Sequence, residues 1–119
     1  METEIVAGTG IEGSDLNQLG YPMGIFVDIN FDLYVADCEN NRVQLFQLNQ
    51  SNGQTKAGDT SLYPPITLLC PSEIVLDINR YLFIADNNSR RIVGEEPTSF
   101  GFTIACYNLG HNQINCLVQ

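Results

Sequence analysis

Four aspartates stand at the ends of short apolar runs, and paired carboxylates are side chains that general acid–base catalysis uses. They are Asp28, Asp37, Asp77 and Asp86. Each is followed by turn residues, where an aspartate commonly accepts backbone N–H hydrogen bonds. The pattern therefore predicts aspartates that hold turns rather than a catalytic pair. Arg42 and Arg91 are expected to bond to the turn or to the aspartate of their own segment.

Other catalytic or metal-binding patterns are missing from the sequence. A metal site needs several converging His, Cys, Asp or Glu residues, and the only histidine, His111, lies in a poorly patterned tail. There is no Gly-rich phosphate loop, no Gly-x-Ser-x-Gly and no Cys-x-x-Cys. We therefore expect no catalytic residue, no metal ligand and no cofactor, and the chain is predicted not to be an enzyme.

The charge balance limits the partners of the chain. Fourteen acidic residues against five basic ones give a net charge of −9, which repels phosphate backbones, so no nucleic-acid partner is expected. The one basic cluster, Arg80, Arg90 and Arg91, is predicted to be a solvated or salt-bridged turn. No apolar run approaches the roughly 20 residues of a transmembrane helix, so no membrane contact is expected. Residues 1–4 do not resemble a signal peptide, and whether Met1 is the true start stays open.

The elements that position these residues form an internal repeat. Shifted by 49 positions, residues 22–43 align with residues 71–92 without a gap. Nine positions are identical, and they hold Pro, Ile, Asp, Ile, Asn, Leu, Ala, Asp and Arg in that order. Among them, Pro22, Asp28, Asp37 and Arg42 correspond to Pro71, Asp77, Asp86 and Arg91. Such self-similarity is typical of a repeat architecture.

Each repeat has the periodicity of β-strands. The runs 24–28 and 33–37, with their copies 73–77 and 81–86, are short and apolar, as buried strands are. The run 42–48 alternates, and 54–57, with its copy 101–106, fits an outer strand. Four strands per repeat predict an all-β, partial β-propeller of two four-stranded antiparallel blades plus a flanking strand. The predicted boundaries are 1–8 for the outer strand of a preceding blade, 9–58 and 59–106 for the two blades, and 107–119 for the poorly patterned approach to a further blade.

The repeat resembles the NHL family of β-propellers. The first copy reads Pro22-Met-Gly-Ile-Phe-Val-Asp28, Leu33-Tyr-Val-Ala-Asp37 and Asn40-Asn-Arg-Val-Gln-Leu-Phe46, close to that family's motif, and looks most like the extracellular-type NHL proteins of invertebrates. The second copy departs from the motif where Glu73 replaces its glycine. Both first turns lack the usual glycine, and Asn30 and Asn79 are expected to adopt the left-handed conformation instead.

The resemblance implies a non-catalytic scaffold that presents loops to a protein or glycan partner, alongside further blades of the same protein. Two other interpretations stay open. The chain could be the substrate-recognition propeller of a RING-NHL ubiquitin ligase, or a fragment of a metal-dependent propeller lyase whose ligands lie on other blades.

The cysteines and two glycosylation sequons bear on the compartment. Cys38 follows the second strand of one predicted blade and Cys70 precedes the first strand of the next, so a bridge between neighbouring blades is predicted. Cys106 and Cys116 are candidates for a local disulfide, and free buried cysteines remain the alternative for all four. The sequons begin at Asn49 and Asn87, both in predicted loops. Together these features favour an extracellular over a cytoplasmic location.

Overall fold

The computed structural model describes residues 3–58, 67–95, 101–108 and 114–118, which form two antiparallel sheets. The first sheet contains β1 (Pro22–Val27), β2 (Leu33–Asp37), β3 (Arg42–Phe46) and β4 (Gln54–Gly58). The second contains β5 (Pro71–Leu76), β6 (Leu82–Asp86), β7 (Arg91–Glu95), β8 (Gly101–Asn108) and β9 (Ile114–Val118). In both sheets the spatial order follows the chain order, and neither sheet closes on itself. No helix in the described part of the chain is long and apolar enough to span a membrane.

The two sheets repeat each other in detail. In each, the first strand pairs with the second through a bulge just after its proline, at Pro22/Gly24 and at Pro71/Glu73. A 3₁₀ turn follows each second strand, at Cys38–Asn40 and Asn87–Ser89. Each turn ends on a residue in the left-handed conformation, Asn41 or Arg90. The repeat seen in the sequence is therefore a structural repeat.

The core lies between the sheets. Alternation along a strand gives each sheet two faces, which we name by their first strands. The forward face carries Gly24 and Phe26 in the first sheet, and the rear face carries Ile74 and Leu76 in the second. These two faces pack together around one apolar cluster of buried side chains, Tyr34, Ala36, Val43, Leu45, Ala57, Leu68, Ile74, Leu82, Ile84 and Val93. The second sheet thus packs with its rear face on the forward face of the first.

Three expectations need correction. Residues 1–8 were predicted to be the outer strand of a preceding blade, but residues 3–8, the described part of this segment, form no strand. Part of segment 107–119, predicted as the approach to a further blade, instead extends β8 and supplies β9, which pairs with β8 and gives the second sheet a fifth strand. The left-handed residues of the first turns are Phe31 (φ 64°) and Arg80 (φ 68°), one position after the predicted Asn30 and Asn79.

Candidate functional site

The strongest polar feature of each sheet is an aspartate–arginine pair at the end of its second strand. Asp37 Oδ2 lies 2.9 Å from Arg42 Nε in the first sheet, and Asp86 Oδ2 lies 2.9 Å from Arg91 Nε in the second. The pairs form because β2 and β6 end where β3 and β7 begin, which puts Asp37 opposite Arg42 and Asp86 opposite Arg91 in register. The predicted bond between each arginine and the aspartate of its own repeat is confirmed.

Each of these pairs binds the segment that leads into its sheet. Arg42 donates from Nη1 to the carbonyl of Ser14 (3.0 Å) and from Nη2 to the carbonyls of Asp15 and Gln18. Asp37 Oδ1 accepts the N–H of Gly20 at 2.7 Å. The fully buried Asp37 carboxylate is therefore bonded through both oxygens. Such a group fixes the backbone and leaves no lone pair aimed at a substrate.

The second pair repeats this arrangement. Arg91 Nη2 donates to the carbonyl of Thr67, and Asp86 Oδ1 accepts the N–H of Leu69 at 2.6 Å. Asp86 is also fully buried, whereas the Arg91 side chain is 28% exposed. Both pairs therefore attach the segment that precedes the first strand to the end of the second strand and the start of the third.

The other two repeated aspartates hold the first turns, as predicted. Asp28 Oδ1 accepts the N–H groups of Asn30 (2.8 Å) and Asp32 (3.0 Å). Asp77 Oδ1 accepts those of Asn79 (2.8 Å) and Tyr81 (2.9 Å). These bonds tie the turn to its first residue. The aspartates expected to be structural are thus bound to backbone rather than gathered into a reactive pair.

A polar bridge between the sheets was not predicted from the sequence. Arg80, from the first turn of the second sheet, places Nη1 3.5 Å from Asp28 Oδ2 and donates from Nη2 to Tyr34 Oη at 3.2 Å. Burial raises the pKa of Tyr34, and the positive charge of Arg80 opposes part of that rise. The prediction of a salt-bridged basic turn is confirmed for Arg80, but its partners lie in the other repeat, which no local pattern indicates.

The disulfide predicted between the repeats is present. Cys38 and Cys70 are joined with an S–S distance of 2.01 Å and a Cα–Cα distance of 3.9 Å. Cys38 opens the 3₁₀ turn after β2, and Cys70, in the left-handed conformation (φ 52°), directly precedes β5. The N–H of Cys70 also bonds to Asn41 Oδ1 at 2.9 Å. His111 and the side chains of Cys106 and Cys116 lie outside the described residues.

The loops lie at two opposite ends of the strands. The 3₁₀ end carries both aspartate–arginine pairs, the disulfide and Asn87, the exposed first residue of one sequon. Here a hydrogen bond with the neighbouring Glu12 carboxyl raises the pKa of Glu39. The opposite end carries the first turns, the loop between β3 and β4, and the exposed Asn49 of the other sequon.

We call this opposite end the turn face. Its turn tips are apolar and exposed: Ile29 is 92% exposed and its repeat counterpart Ile78 is 95% exposed. Phe31 and Leu48 are also exposed there. A cavity of about 320 Å³ lies beside them, lined by residues 4–9, Asn17, Phe31, Leu33 and residues 46–51. The exposed apolar turn tips were not predicted from the sequence, although the alignment of the two repeats has isoleucine at both position 29 and position 78.

No group of three or more His, Cys, Asp or Glu side chains suited to a metal occurs among the described residues. No protein-family model matches the chain, and no curated protein is significantly similar to it. The resemblance to NHL repeats therefore stays a prediction that rests on the motif residues alone.

Proposed function

We propose that the chain is a two-blade segment of an NHL-type β-propeller that acts as a non-catalytic binding scaffold and contacts a protein partner through its turn face. The observation that carries the proposal is the pair of nearly fully exposed isoleucines, Ile29 and Ile78, at equivalent positions of the two first turns. Exposed apolar groups that cluster on one surface commonly mark interaction sites.

The way the sheets stack supports the propeller part of the proposal. Equivalent sheets follow one another along the chain, rear face on forward face, and each first strand lies beside the next, as blades do around a propeller. The rear face of the first sheet is open at its first strand: Ile25 is 62% exposed, whereas its counterpart Ile74 is 3% exposed. This open face fits a further blade of the same protein.

The turn face also has the composition of a protein-binding surface. Ile29, Phe31, Leu48 and Ile78 offer apolar side chains, and the adjoining cavity is bordered by the amides of Asn17, Gln47 and Asn49. Apolar anchors surrounded by polar groups are the usual anatomy of such interfaces. A glycan would instead be bound mainly through polar groups, so the apolar tips favour a protein partner.

A structural role for the repeated carboxylates supports a scaffold over an enzyme. Asp37 and Asp86 are bonded to arginine and to backbone N–H groups, and Asp28 and Asp77 hold turns. The Cys38–Cys70 disulfide supports an oxidising, extracellular compartment, because disulfides persist there and are rare in the cytosol.

Photocrosslinking from the two ends of the strands tests this proposal. A benzophenone side chain replaces Asn30 on the turn face or, as the matched control, Glu39 at the 3₁₀ end; both sites are exposed. The labelled chain is irradiated together with extracellular fluid or intact cells of the source organism, which are the sample that holds the partner. We expect a protein adduct from position 30 alone, suppressed by excess unlabelled chain and lost when Ile29→Ser and Ile78→Ser are introduced together.

Three other results are informative. Equal adducts from both positions, or adducts that survive the double serine change, would contradict binding through the turn face. An adduct that is lost when the fluid or cells are treated with glycosidase would identify a glycan as the ligand in place of a protein.

A further inference from the structure

The fifth strand of the second sheet has no counterpart in the first. Among the described residues, β9 pairs with β8 alone and forms the outer edge of its sheet. Edge strands have unpaired backbone groups and are held by one neighbour only. The contacts between β9 and β8 therefore determine whether β9 stays in the sheet.

The register of β8 and β9 places two cysteines directly opposite each other. Cys106 is the Cα partner of Cys116, between the pairs Ala105/Leu117 and Tyr107/Asn115. Directly opposed residues of an antiparallel pair lie about 4.5 or 5.5 Å apart between Cα atoms and share one face of the sheet. Both separations fall within the range of about 4.4–6.8 Å in which disulfides usually form.

We propose that Cys106 and Cys116 form a second disulfide, which fastens the edge strand β9 to β8. The other two cysteines of the chain, Cys38 and Cys70, already bond to each other, so these two are each other's only partners within the chain. The pair closes a short loop inside one sheet, whereas the Cys38–Cys70 bond joins two sheets.

The bond forms by thiol–disulfide exchange. One thiolate attacks a small disulfide oxidant such as oxidised glutathione, giving a mixed disulfide and one reduced thiol. The second thiolate then displaces the other glutathione from the mixed disulfide. Two cysteine thiols are oxidised, one glutathione disulfide is reduced to two thiols, and the two protons lost by the cysteines are taken up by the two leaving glutathione thiolates.

The positions of lysine and arginine allow a direct test by peptide mapping. Trypsin leaves Cys38 in peptide 1–42 and Cys70 in peptide 57–80, while both Cys106 and Cys116 fall in peptide 92–119. The full chain is refolded in a glutathione buffer, alkylated in denaturant and digested without reduction. We expect peptide 92–119 to carry no alkyl group and to be two mass units lighter than its reduced form. Further cleavage with chymotrypsin at Tyr107 should leave two fragments that separate only after reduction.

Variants supply the matched controls. Cys106→Ser and Cys116→Ser should each release one alkylatable thiol per chain, in peptide 92–119, and leave the link between peptides 1–42 and 57–80 intact. Cys38→Ser should release one thiol in peptide 57–80 and leave peptide 92–119 closed. Two alkylated cysteines in peptide 92–119 of the wild type, or a link between that peptide and Cys38 or Cys70, would overturn the proposal.

Discussion

A Cβ atom placed on Gly24 would lie 2.4 Å from the carbonyl oxygen of Ser72, so the first strands of the two sheets meet backbone to backbone. The same atom would lie 3.2 Å from the Cα of Glu73. Neither neighbour is a flexible side chain that could move aside. Gly24 therefore sets how closely the second sheet approaches the first.

Gly24→Ala should destabilise the chain by about 1–3 kcal/mol, the usual cost of inserting a methyl group into a well-packed contact. Urea unfolding at low protein concentration measures it. The matched control is Glu73→Ala at the repeat-equivalent position, which is exposed and should change stability by less than about 0.5 kcal/mol. Equal effects at the two positions would mean that the sheets do not pack through Gly24.

The two aspartate–arginine pairs differ in burial, which predicts unequal costs for breaking them. Asp37→Ala leaves Arg42, whose side chain is 10% exposed, with an uncompensated charge and should cost about 3–5 kcal/mol. Asp86→Ala leaves Arg91, which is 28% exposed and can be hydrated in part, so its cost should be smaller. Denaturant unfolding of the two variants gives the comparison. A larger loss for Asp86→Ala would refute this ranking.

Removing the bridge between the sheets should destabilise the chain by about 2–4 kcal/mol, because the unfolded state regains the freedom that the cross-link removed. The change is Cys38→Ser together with Cys70→Ser, measured by thermal and urea unfolding. The control adds reductant, which should lower the stability of the wild type by more than that of the double variant, because the double variant has only the proposed Cys106–Cys116 bond left to lose. An unchanged midpoint in the double variant would show that the bridge adds no stability.

The raised pKa of Tyr34 predicts that the free energy of unfolding depends on pH in the alkaline range. Because burial raises its pKa above the ordinary value of 10.0, the folded chain keeps a proton that the unfolded chain loses. The contribution of this group to the free energy of unfolding is fully present below about pH 10 and is lost as the pH rises towards the folded pKa. Tyr34→Phe should remove that part of the decline, seen as a shallower loss of unfolding free energy as the pH rises above 10. The same slope in both proteins would contradict the raised pKa.

Local patterns predicted the contacts within each repeat, whereas of the contacts between repeats described above only the Cys38–Cys70 disulfide was predicted. Asp37 and Arg42 could be paired from sequence because strand register puts them opposite each other. Arg80 could not be assigned to Tyr34 and Asp28, since that contact depends on how one sheet sits on the other. The turn residue with positive φ was predicted one position early, because asparagine tolerates that conformation better than Phe31 does. The exposed Ile29 and Ile78 could be aligned but not placed, because exposure is a property of the folded surface.

The exposed first strand on the rear face of the first sheet predicts self-association of the chain. Met23, Ile25 and Val27 are 44%, 62% and 51% exposed there, whereas their counterparts in the second sheet are covered by the first. A copy that docked its second sheet on this face would bring Glu73 to the position of Gly24, where even a Cβ atom would clash with backbone. Association of two rear faces, a two-fold dimer, is therefore favoured over head-to-tail chains.

Sedimentation over a range of concentrations tests this last prediction. The wild type should pass from monomer to dimer, and Ile25→Lys should keep it monomeric because the charge cannot be buried in a second apolar face. Val75→Lys, on the exposed forward face of the second sheet, is the matched control and should leave the dimer intact, since that face takes no part in it. Larger oligomers abolished equally by either change would show head-to-tail stacking instead, and a wild type that stays monomeric at every concentration would show that the exposed strand does not associate.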